Sequence, residues 1–316
     1  MTPVVKRRAA VLALIGVLVG SAVLLAGVTG SAPPVSFAVV SDATTETMRA
    51  VDRAGLAVTR LSDDEEAELG RRMDAAQHLR PGDAADSAYV QKLVDTLVAN
   101  GELRRPGLSY RGAVIQSGDV NAYASPGGHV YVTSAMMSFV HSEAELAAVI
   151  GHELAHVDLR HCVERIQYRV AAEKIVGPSL AVLAAIGASL WQAGYADDQE
   201  SDADRAGVLY ASRAGYDPRA VGQLWVRMQM LHGGVTQGPS SVPGELGGAV
   251  ETAVTGYFRS HPTDAERIAR IERAISEQGI DVAGRAWYVG KSNLAQRVPR
   301  SELELEDEWL SAEGAP

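Results

Sequence analysis

Two histidines and a glutamate near the middle of the chain have the spacing of a metal-binding helix. The segment His152-Glu153-Leu154-Ala155-His156 places two imidazoles four positions apart. At about 100° per residue, these positions are offset by only about 40° on a helix, so both rings can reach one ion. Glu153 lies beside that face, where its carboxylate can accept a proton from a water molecule on the metal. The simpler alternative is a pair of surface histidines on an amphipathic helix, so the surrounding sequence has to decide.

A second group of charged residues downstream could complete the site. A catalytic zinc has three protein ligands and an open position, so one more donor is expected on another element. Glu200 and Asp204 are four residues apart in an acidic segment that predicts a helix start. One carboxylate can bind the metal while the other accepts a hydrogen bond from a ligand imidazole. An acidic helix start also occurs without any metal, because negative charge is favoured near the N-terminus of a helix.

The residues that follow the histidine pair are expected to be structural. His161 is nine positions after His152, about 180° around a regular helix, so it cannot reach the same ion while the helix continues. Cys162 is the single cysteine of the chain. It therefore excludes an intrachain disulfide and a metal site built from cysteines.

The elements that must position these residues are mostly helices. Capping boxes at residues 62–65 and 142–145 predict helix starts, and the second opens a long amphipathic helix that carries both histidines. Alternating segments around a Ser-Pro-Gly-Gly turn predict a strand and a hairpin. The fold class is therefore predicted to be α+β, a mostly helical domain with a small sheet. The predicted helices are 62–78, 86–101, 142–170, 197–214, 218–232 and one from about 262; the predicted strands are 108–115, 121–124 and 129–133.

The composition indicates an acidic protein with a buried core. Of its 316 residues, 47% are hydrophobic and the formal net charge is −10, which is enough apolar material for one large domain or two small ones. The acidic balance argues against a nucleic-acid partner, because phosphate backbones require clustered lysine and arginine.

The N-terminus has the sequence pattern of an export signal. Lys6, Arg7 and Arg8 precede an uncharged apolar run at residues 9–28. About 20 such residues can span a bilayer, and the basic residues before them place the remainder outside the cytoplasm. We expect an extracytoplasmic protein that is either anchored in the membrane through this segment or secreted after its cleavage.

A second apolar stretch occupies residues 175–191. A single membrane crossing there would separate Glu200 from His152, so we expect a buried helix or hairpin that covers the site; peripheral membrane contact is the alternative. The predicted organisation is a signal or anchor at 1–32, a linker at 33–60, a metal-binding domain at 61–285 and an acidic C-terminal tail at 286–316.

Five motifs, in the same order, resemble the HtpX-type zinc metallopeptidases. This family includes the prenyl-CAAX protease, the mitochondrial Oma-type proteases and the periplasmic BepA-type proteases. The resemblance extends over about two thirds of the chain, from about residue 62 to 275. They are NAYASPGG at 121–128, GHELAHVDLRH at 151–161, ESDADRAG at 200–207, AGYDP at 214–218 and SHPTDAER at 260–267.

The resemblance implies a zincin-like fold with one zinc ion per chain. His152, His156 and Glu200 would bind the zinc, Glu153 would be the general base, and Asp204 would support a ligand from behind. It also implies an edge strand beside the active-site helix that binds substrate backbone by β-addition, a mode that tolerates many side chains. The residues of that strand are Asn121, Ala122, Tyr123 and Ala124.

Three further residues are candidates for a role at the site. The resemblance to BepA-like proteins implies that His261 occupies the open zinc position and keeps the enzyme latent; packing near the site is the alternative. Arg267 and Tyr257 could stabilise an oxyanion or position substrate.

The activity implied by the resemblance is a zinc endopeptidase for misfolded or unassembled envelope proteins. The alternative is a zinc-containing chaperone-like or binding module with little protease activity. We expect a short form without the helical repeat domain of BepA-type proteins and without the multiple spans of the HtpX and prenyl proteases, and therefore one that does not process CAAX sequences.

Overall fold

A computed structural model describes residues 60–77, 79–105, 107–164, 166, 195–233, 261 and 267–310. The chain divides into two units, and the one formed by residues 63–165 and 179–316 contains every element described below. The predicted N-terminal anchor, the apolar stretch 175–191 and Tyr257 lie outside the described residues. Among the described helices, none combines the length and the apolar character that a membrane crossing requires.

The secondary structure is mostly helical, and this confirms the predicted α+β class. Helix α4 lies at the centre of the unit, because each of its residues is buried. The helices are α1 (Asp63–Gln77), α2 (Ala84–Gly101), α3 (Ser134–Phe139), α4 (Glu143–Asp158), α5 (Asp197–Arg213), α6 (Ala220–Gly233), α7 (Arg267–Glu277) and α8 (Lys291–Gln296). The strands are β1 (Arg111–Ile115), β2 (Ala122–Ser125), β3 (His129–Thr133), β4 (Trp287–Tyr288) and β5 (Trp309–Leu310).

A small mixed sheet supports one side of α4. Its strand order is β1-β3-β2, with β1 parallel and β2 antiparallel to β3. The turn that joins β2 to β3 contains Gly127 and Gly128, whose φ angles of 86° and 97° favour residues without a Cβ. Strand β2 is therefore an edge strand of the three-stranded sheet, and it packs against α4.

The N-terminus of α4 begins where its capping sequence predicts. The Ser142 hydroxyl accepts a hydrogen bond from the Glu145 backbone N–H at 3.2 Å, and the Glu145 carboxylate accepts one from the His141 N–H at 2.8 Å. These bonds satisfy donors that would otherwise lack a partner at the helix start.

Helices α4 and α5 approach each other through two glycines. A Cβ atom built on Gly207 would lie 2.7 Å from the His152 backbone nitrogen, and one built on Gly151 would lie 2.9 Å from the Gly207 carbonyl oxygen. Ordinary contacts of a Cβ begin at about 3.4 Å, so side chains at these positions would push the two backbones apart. The glycines thus allow the histidine helix and the Glu200 helix to pack at short range.

The helix that carries His152 and His156 was predicted to continue to residue 170. This prediction is wrong, because the helix is interrupted at residues 159–160. Helix α4 ends at Asp158, and Arg160 has a φ of 69°, a left-handed conformation that is unfavourable for arginine. The Asp158 carboxylate fixes this end by accepting hydrogen bonds from the Tyr210 hydroxyl at 2.7 Å and from the Arg105 N–H at 2.8 Å. Residues 161–164 are again helical, after the interruption.

The region predicted to be an acidic tail is packed onto the unit as far as residue 310. The N–H groups of Glu143 and Ala144 donate to the carbonyls of Gly290 and Val289, so the segment joins the start of α4. Trp287 is buried, and the Glu308 carboxylate accepts hydrogen bonds at the N-terminus of α8. These contacts were not predicted from the sequence, because the segment is acidic overall. The residues that make the contacts, Trp287 and Glu308, are more than 20 positions apart.

Candidate metal centre

Four buried side chains from three parts of the chain converge on one point. His152 and His156 come from α4, Glu200 comes from the first turn of α5, and His261 precedes α7. Each offers one nitrogen or oxygen atom, and these four atoms all lie within 4.8 Å of one another. Residues 152 and 156 share one face of α4, as their spacing of four requires.

The separations between these atoms suit a tetrahedral metal ion. The His152 Nε2 atom lies 3.1 Å from His156 Nε2 and 3.2 Å from His261 Nδ1. Glu200 Oε1 lies 3.3 Å from His156 Nε2 and 3.0 Å from His261 Nδ1. Ligand atoms at about 2.0–2.1 Å from a tetrahedral zinc would be about 3.3 Å apart. The donor types and their spacing therefore fit a divalent cation of this kind.

Glu153 lies beside the cluster and faces His261. Its side chain is fully buried, and its Oε1 atom is 3.2 Å from the His261 Nε2 atom. Burial raises the pKa of Glu153, but the neighbouring His261 outweighs burial and holds that pKa below its ordinary value. Burial likewise lowers the pKa of His261, whereas Glu153 and Glu200 raise it to about 10. Glu153 is thus an ionised carboxylate at neutral pH, with one imidazole between it and Glu200.

Arg267 and Asp204 support the cluster from behind. Asp204 Oδ1 lies 3.0 Å from His152 Nδ1, and Asp204 accepts two hydrogen bonds from the Arg267 guanidinium at 2.9 and 2.7 Å. The same guanidinium lies 2.9 Å from Glu200 and stacks over the Trp225 ring at 3.8 Å. Burial raises the pKa of Asp204, and the adjacent Arg267 more than compensates and lowers it. Arg267 is fully buried, so it contacts ligand-supporting carboxylates rather than an open cleft.

His156 has two neighbours that the sequence did not identify as part of the site. His161 Nδ1 lies 3.0 Å from His156 Nδ1, and the Tyr195 ring stacks on the His156 ring with centroids 3.6 Å apart. His161 was expected to lie away from the metal site because the helix was assumed to be continuous. The helix is interrupted after α4, so that assumption does not hold. No pattern in the sequence pointed to Tyr195, because its contact depends on the packing of α5 against α4.

The predicted substrate strand coincides with β2 and the residue before it. Ala122 pairs with Val132 and Ala124 with Val130, so one edge of β2 is bonded to β3. The whole segment is buried in this structure. Its relative exposures are 1% for Asn121, 0% for Ala122, 3% for Tyr123 and 2% for Ala124.

Comparisons with known proteins agree with the motif-based resemblance. The model of peptidase family M48 matches residues 84–275, well over half of the chain. The mitochondrial metalloendopeptidase OMA1 of Schizosaccharomyces pombe is 29% identical over 218 residues, 67% of this chain and 58% of that protein. The β-barrel assembly-enhancing protease of Yersinia pestis is 31% identical over 183 residues, 51% of this chain and 37% of that protein.

A third relative is matched over most of its length. The metalloprotease LoiP of Escherichia coli K12 is 28% identical over 224 residues, 66% of this chain and 79% of that protein. The chain spans little more than half of the OMA1 relative and about a third of the Yersinia protein. The match to the family model covers α2 through most of α7 and includes all four converging side chains. The chain therefore belongs to peptidase family M48.

Proposed function

We propose that this protein is a zinc-dependent endopeptidase that hydrolyses peptide bonds in misfolded or unassembled proteins outside the cytoplasm. The observation that carries the proposal is the convergence of His152, His156 and Glu200, with the Glu153 carboxylate beside them. Two imidazoles and one carboxylate form a common ligand set for catalytic zinc. When bound there, zinc supplies Lewis-acid chemistry, which polarises a carbonyl and makes water acidic near neutral pH.

Glu153 is the proposed general base. Its side chain is buried beside the cluster, where an ionised carboxylate can accept a proton at neutral pH. We propose that it takes the proton of the attacking water and passes it to the amine that leaves, a transfer that contributes about 10²- to 10⁴-fold to the rate. Its position next to the metal-binding face of α4 supports this role.

Asp204 and Arg267 are proposed to position the ligands rather than to touch substrate. A hydrogen bond from His152 Nδ1–H to Asp204 leaves the Nε2 lone pair directed at the cluster. Arg267 contacts both Asp204 and Glu200, so it holds the two carboxylates in one arrangement. We propose this positioning role for Arg267 instead of the oxyanion contact suggested by the sequence. The corresponding role of Tyr257 stays a prediction.

Substrate is proposed to bind along β2 by adding a strand to the sheet. Strand β2 lies at the sheet edge and packs against α4. Main-chain hydrogen bonds would provide the affinity, so side chains would matter little. This preference for extended backbone suits unfolded or unassembled polypeptides, which expose such segments. The similarity to relatives named as a mitochondrial metalloendopeptidase and a β-barrel assembly-enhancing protease supports such a role.

The arrangement in this structure is proposed to be a latent one. His261 places one ring nitrogen against Glu200 and the other against Glu153. Its Nδ1 atom lies in the cluster, so with the Nδ1 proton lost it would occupy the fourth position of the metal, while Nε2–H would engage the general base. Strand β2 is buried at the same time. Activity would require that His261 withdraw and that the edge of β2 become accessible.

The burial of His261 and of strand β2 also supports a second candidate, a zinc-containing chaperone-like module with little protease activity. In that case the histidine and the buried strand would be permanent, and the metal would stabilise the fold. The two candidates differ in turnover, not in metal content.

The location is proposed to be outside the cytoplasm, with the chain attached to a membrane through its N-terminal segment or released by cleavage. This proposal rests on Lys6, Arg7 and Arg8 and the apolar run that follows them. N-terminal sequencing of the mature protein distinguishes an anchor from a cleaved signal.

The direct test of the proposed function uses the full chain purified in detergent. Metal content is measured, and cleavage of unfolded casein is followed with and without a zinc chelator. We expect about one zinc per chain and cleavage that the chelator abolishes and added zinc restores. Cleavage that the chelator does not affect would overturn the proposed chemistry, and zinc without any cleavage by either the parent or His261→Ala would favour the module.

A further inference from the structure

The two ligand histidines on α4 are oriented by different partners. His152 directs Nδ1 at the Asp204 carboxylate, 3.0 Å away. His156 directs Nδ1 at another imidazole, that of His161, also 3.0 Å away. In both rings the Nε2 atom faces the cluster, since the two Nε2 atoms are 3.1 Å apart. A histidine can give its Nε2 lone pair to a metal only when the ring proton is on Nδ1.

The hydrogen bond between His156 and His161 can be made in two ways. If His161 donates from Nδ1, the proton of neutral His156 must lie on Nε2, and that nitrogen cannot bind a metal. If His156 donates instead, His161 must be the tautomer with its proton on Nε2. Only the second arrangement leaves the His156 Nε2 lone pair available to a metal.

We propose that His161 is a positioning residue that accepts the Nδ1–H proton of His156 and so keeps the His156 Nε2 lone pair directed at the metal. The inference rests on the proposed zinc site and adds a residue to its support. Partners of this kind fix both the tautomer and the ring orientation of metal-binding histidines.

The fold brings the two rings together by interrupting the helix. On a continuous helix, residues five apart are about 140° apart around the axis and cannot touch through their rings. The left-handed conformation of Arg160, φ 69°, turns the chain between them. The guanidinium of Arg160 is held 3.1 Å from the Asp63 carboxylate, so the turn is fixed from outside the site.

Tyr195 restricts the remaining freedom of the His156 ring. The two rings are nearly parallel, at an interplanar angle of 12°. Stacking limits tilting of the imidazole, while the His161 contact limits its rotation. Together they orient His156 through an imidazole on its Nδ1 side, whereas His152 has the Asp204 carboxylate on its Nδ1 side.

The test compares three variants of the full chain in detergent. His161→Phe keeps a flat ring but removes the acceptor, whereas His161→Asn places an amide oxygen close to the position of Nδ1. The matched control is His141→Asn, which removes an exposed histidine. Zinc affinity is measured by competition with a chelator of known affinity, and thermal unfolding shows that each variant is folded.

We expect His161→Phe to weaken zinc binding by about 10- to 100-fold, and we expect His161→Asn to retain most of the parent affinity. Parent-like affinity in His161→Phe would overturn the inference, and so would an equal loss in the Phe and Asn variants. If His161→Phe does not fold, the Asn variant decides alone, because its amide must rescue binding. Failure of the parent to bind zinc would instead refute the proposed function, so the two failures are distinguishable.

Discussion

The close approach of α4 and α5 predicts that Gly207→Ala damages the metal site without changing any ligand. Gly207 packs against the backbone of His152, one of the proposed ligands. The first turn of α5 carries Glu200, which has to reach the same point. A change in the separation of these helices therefore changes the distance between ligands on different helices.

The size of the disturbance follows from the contacts. A Cβ on residue 207 would lie 2.7 Å from the His152 nitrogen and 2.8 Å from its Cα atom, against about 3.4 Å for an ordinary contact. The shortfall of about 0.7 Å involves backbone, so one helix has to move. Metal–ligand distances tolerate only about 0.2 Å, so we expect zinc affinity to fall at least about tenfold, which corresponds to about 1.4 kcal/mol.

The effect on folding is expected to be smaller and partly compensated. Overpacking costs about 1–3 kcal/mol, whereas alanine is favoured over glycine in a helix by about 1 kcal/mol. Gly222→Ala in α6 is the matched control, because nothing lies within 4 Å of a Cβ at that position. The control should gain up to about 1 kcal/mol of unfolding free energy and keep the parent's zinc affinity.

The assay is chelator competition for zinc together with denaturant unfolding of the zinc-free and zinc-loaded chains. The expected signature is a loss of zinc affinity in Gly207→Ala that exceeds its loss of zinc-free stability. If Gly207→Ala binds zinc like the parent and gains stability like Gly222→Ala, the close helix contact does not set the ligand geometry, and the reasoning is refuted.

Three further predictions address the ligand, the latent histidine and the C-terminal segment. Glu200→Gln should lose most bound zinc by metal analysis, because an amide is a poor zinc ligand; full occupancy would exclude Glu200 from the site. His261→Ala should cleave casein faster than the parent, and equal or slower turnover would count against latency. Burial raises the pKa of Glu308, but hydrogen bonds from Ser292 and Lys291 outweigh burial and hold it below 4.5. Its stabilisation is therefore present above pH 4.5 and is lost as the pH falls through the folded-state pKa. The melting temperature of Glu308→Gln should thus lie below that of the parent at pH 7 and approach it in acid; a constant gap would contradict this.

Local rules carried much of the sequence-based prediction. The spacing of His152 and His156 required only helix periodicity, and the Ser142 capping sequence located the start of their helix. The pairing of Glu200 with Asp204 followed from the need for a third ligand and its support. These features depend on residues within one or two helical turns, which is the range over which sequence patterns are informative.

Features set by distant contacts could not be predicted in the same way. The helix end at Asp158 depends on Tyr210 and Arg105, which are about 50 positions away in sequence. The assumption of a continuous helix therefore misplaced His161. The packing of the C-terminal segment was not predicted for a related reason. Its acidic composition suggested a solvated tail, whereas Trp287 is buried.

The central claim is that Glu153 performs proton transfer at a zinc site built from α4 and α5. The most direct measurement is casein turnover and zinc content of Glu153→Gln in the full chain, with Glu68→Gln as the control, since Glu68 is exposed on α1. We predict that Glu153→Gln keeps its zinc and loses at least about 10²-fold in turnover, while Glu68→Gln behaves like the parent. Turnover in Glu153→Gln that matches the parent would contradict the account.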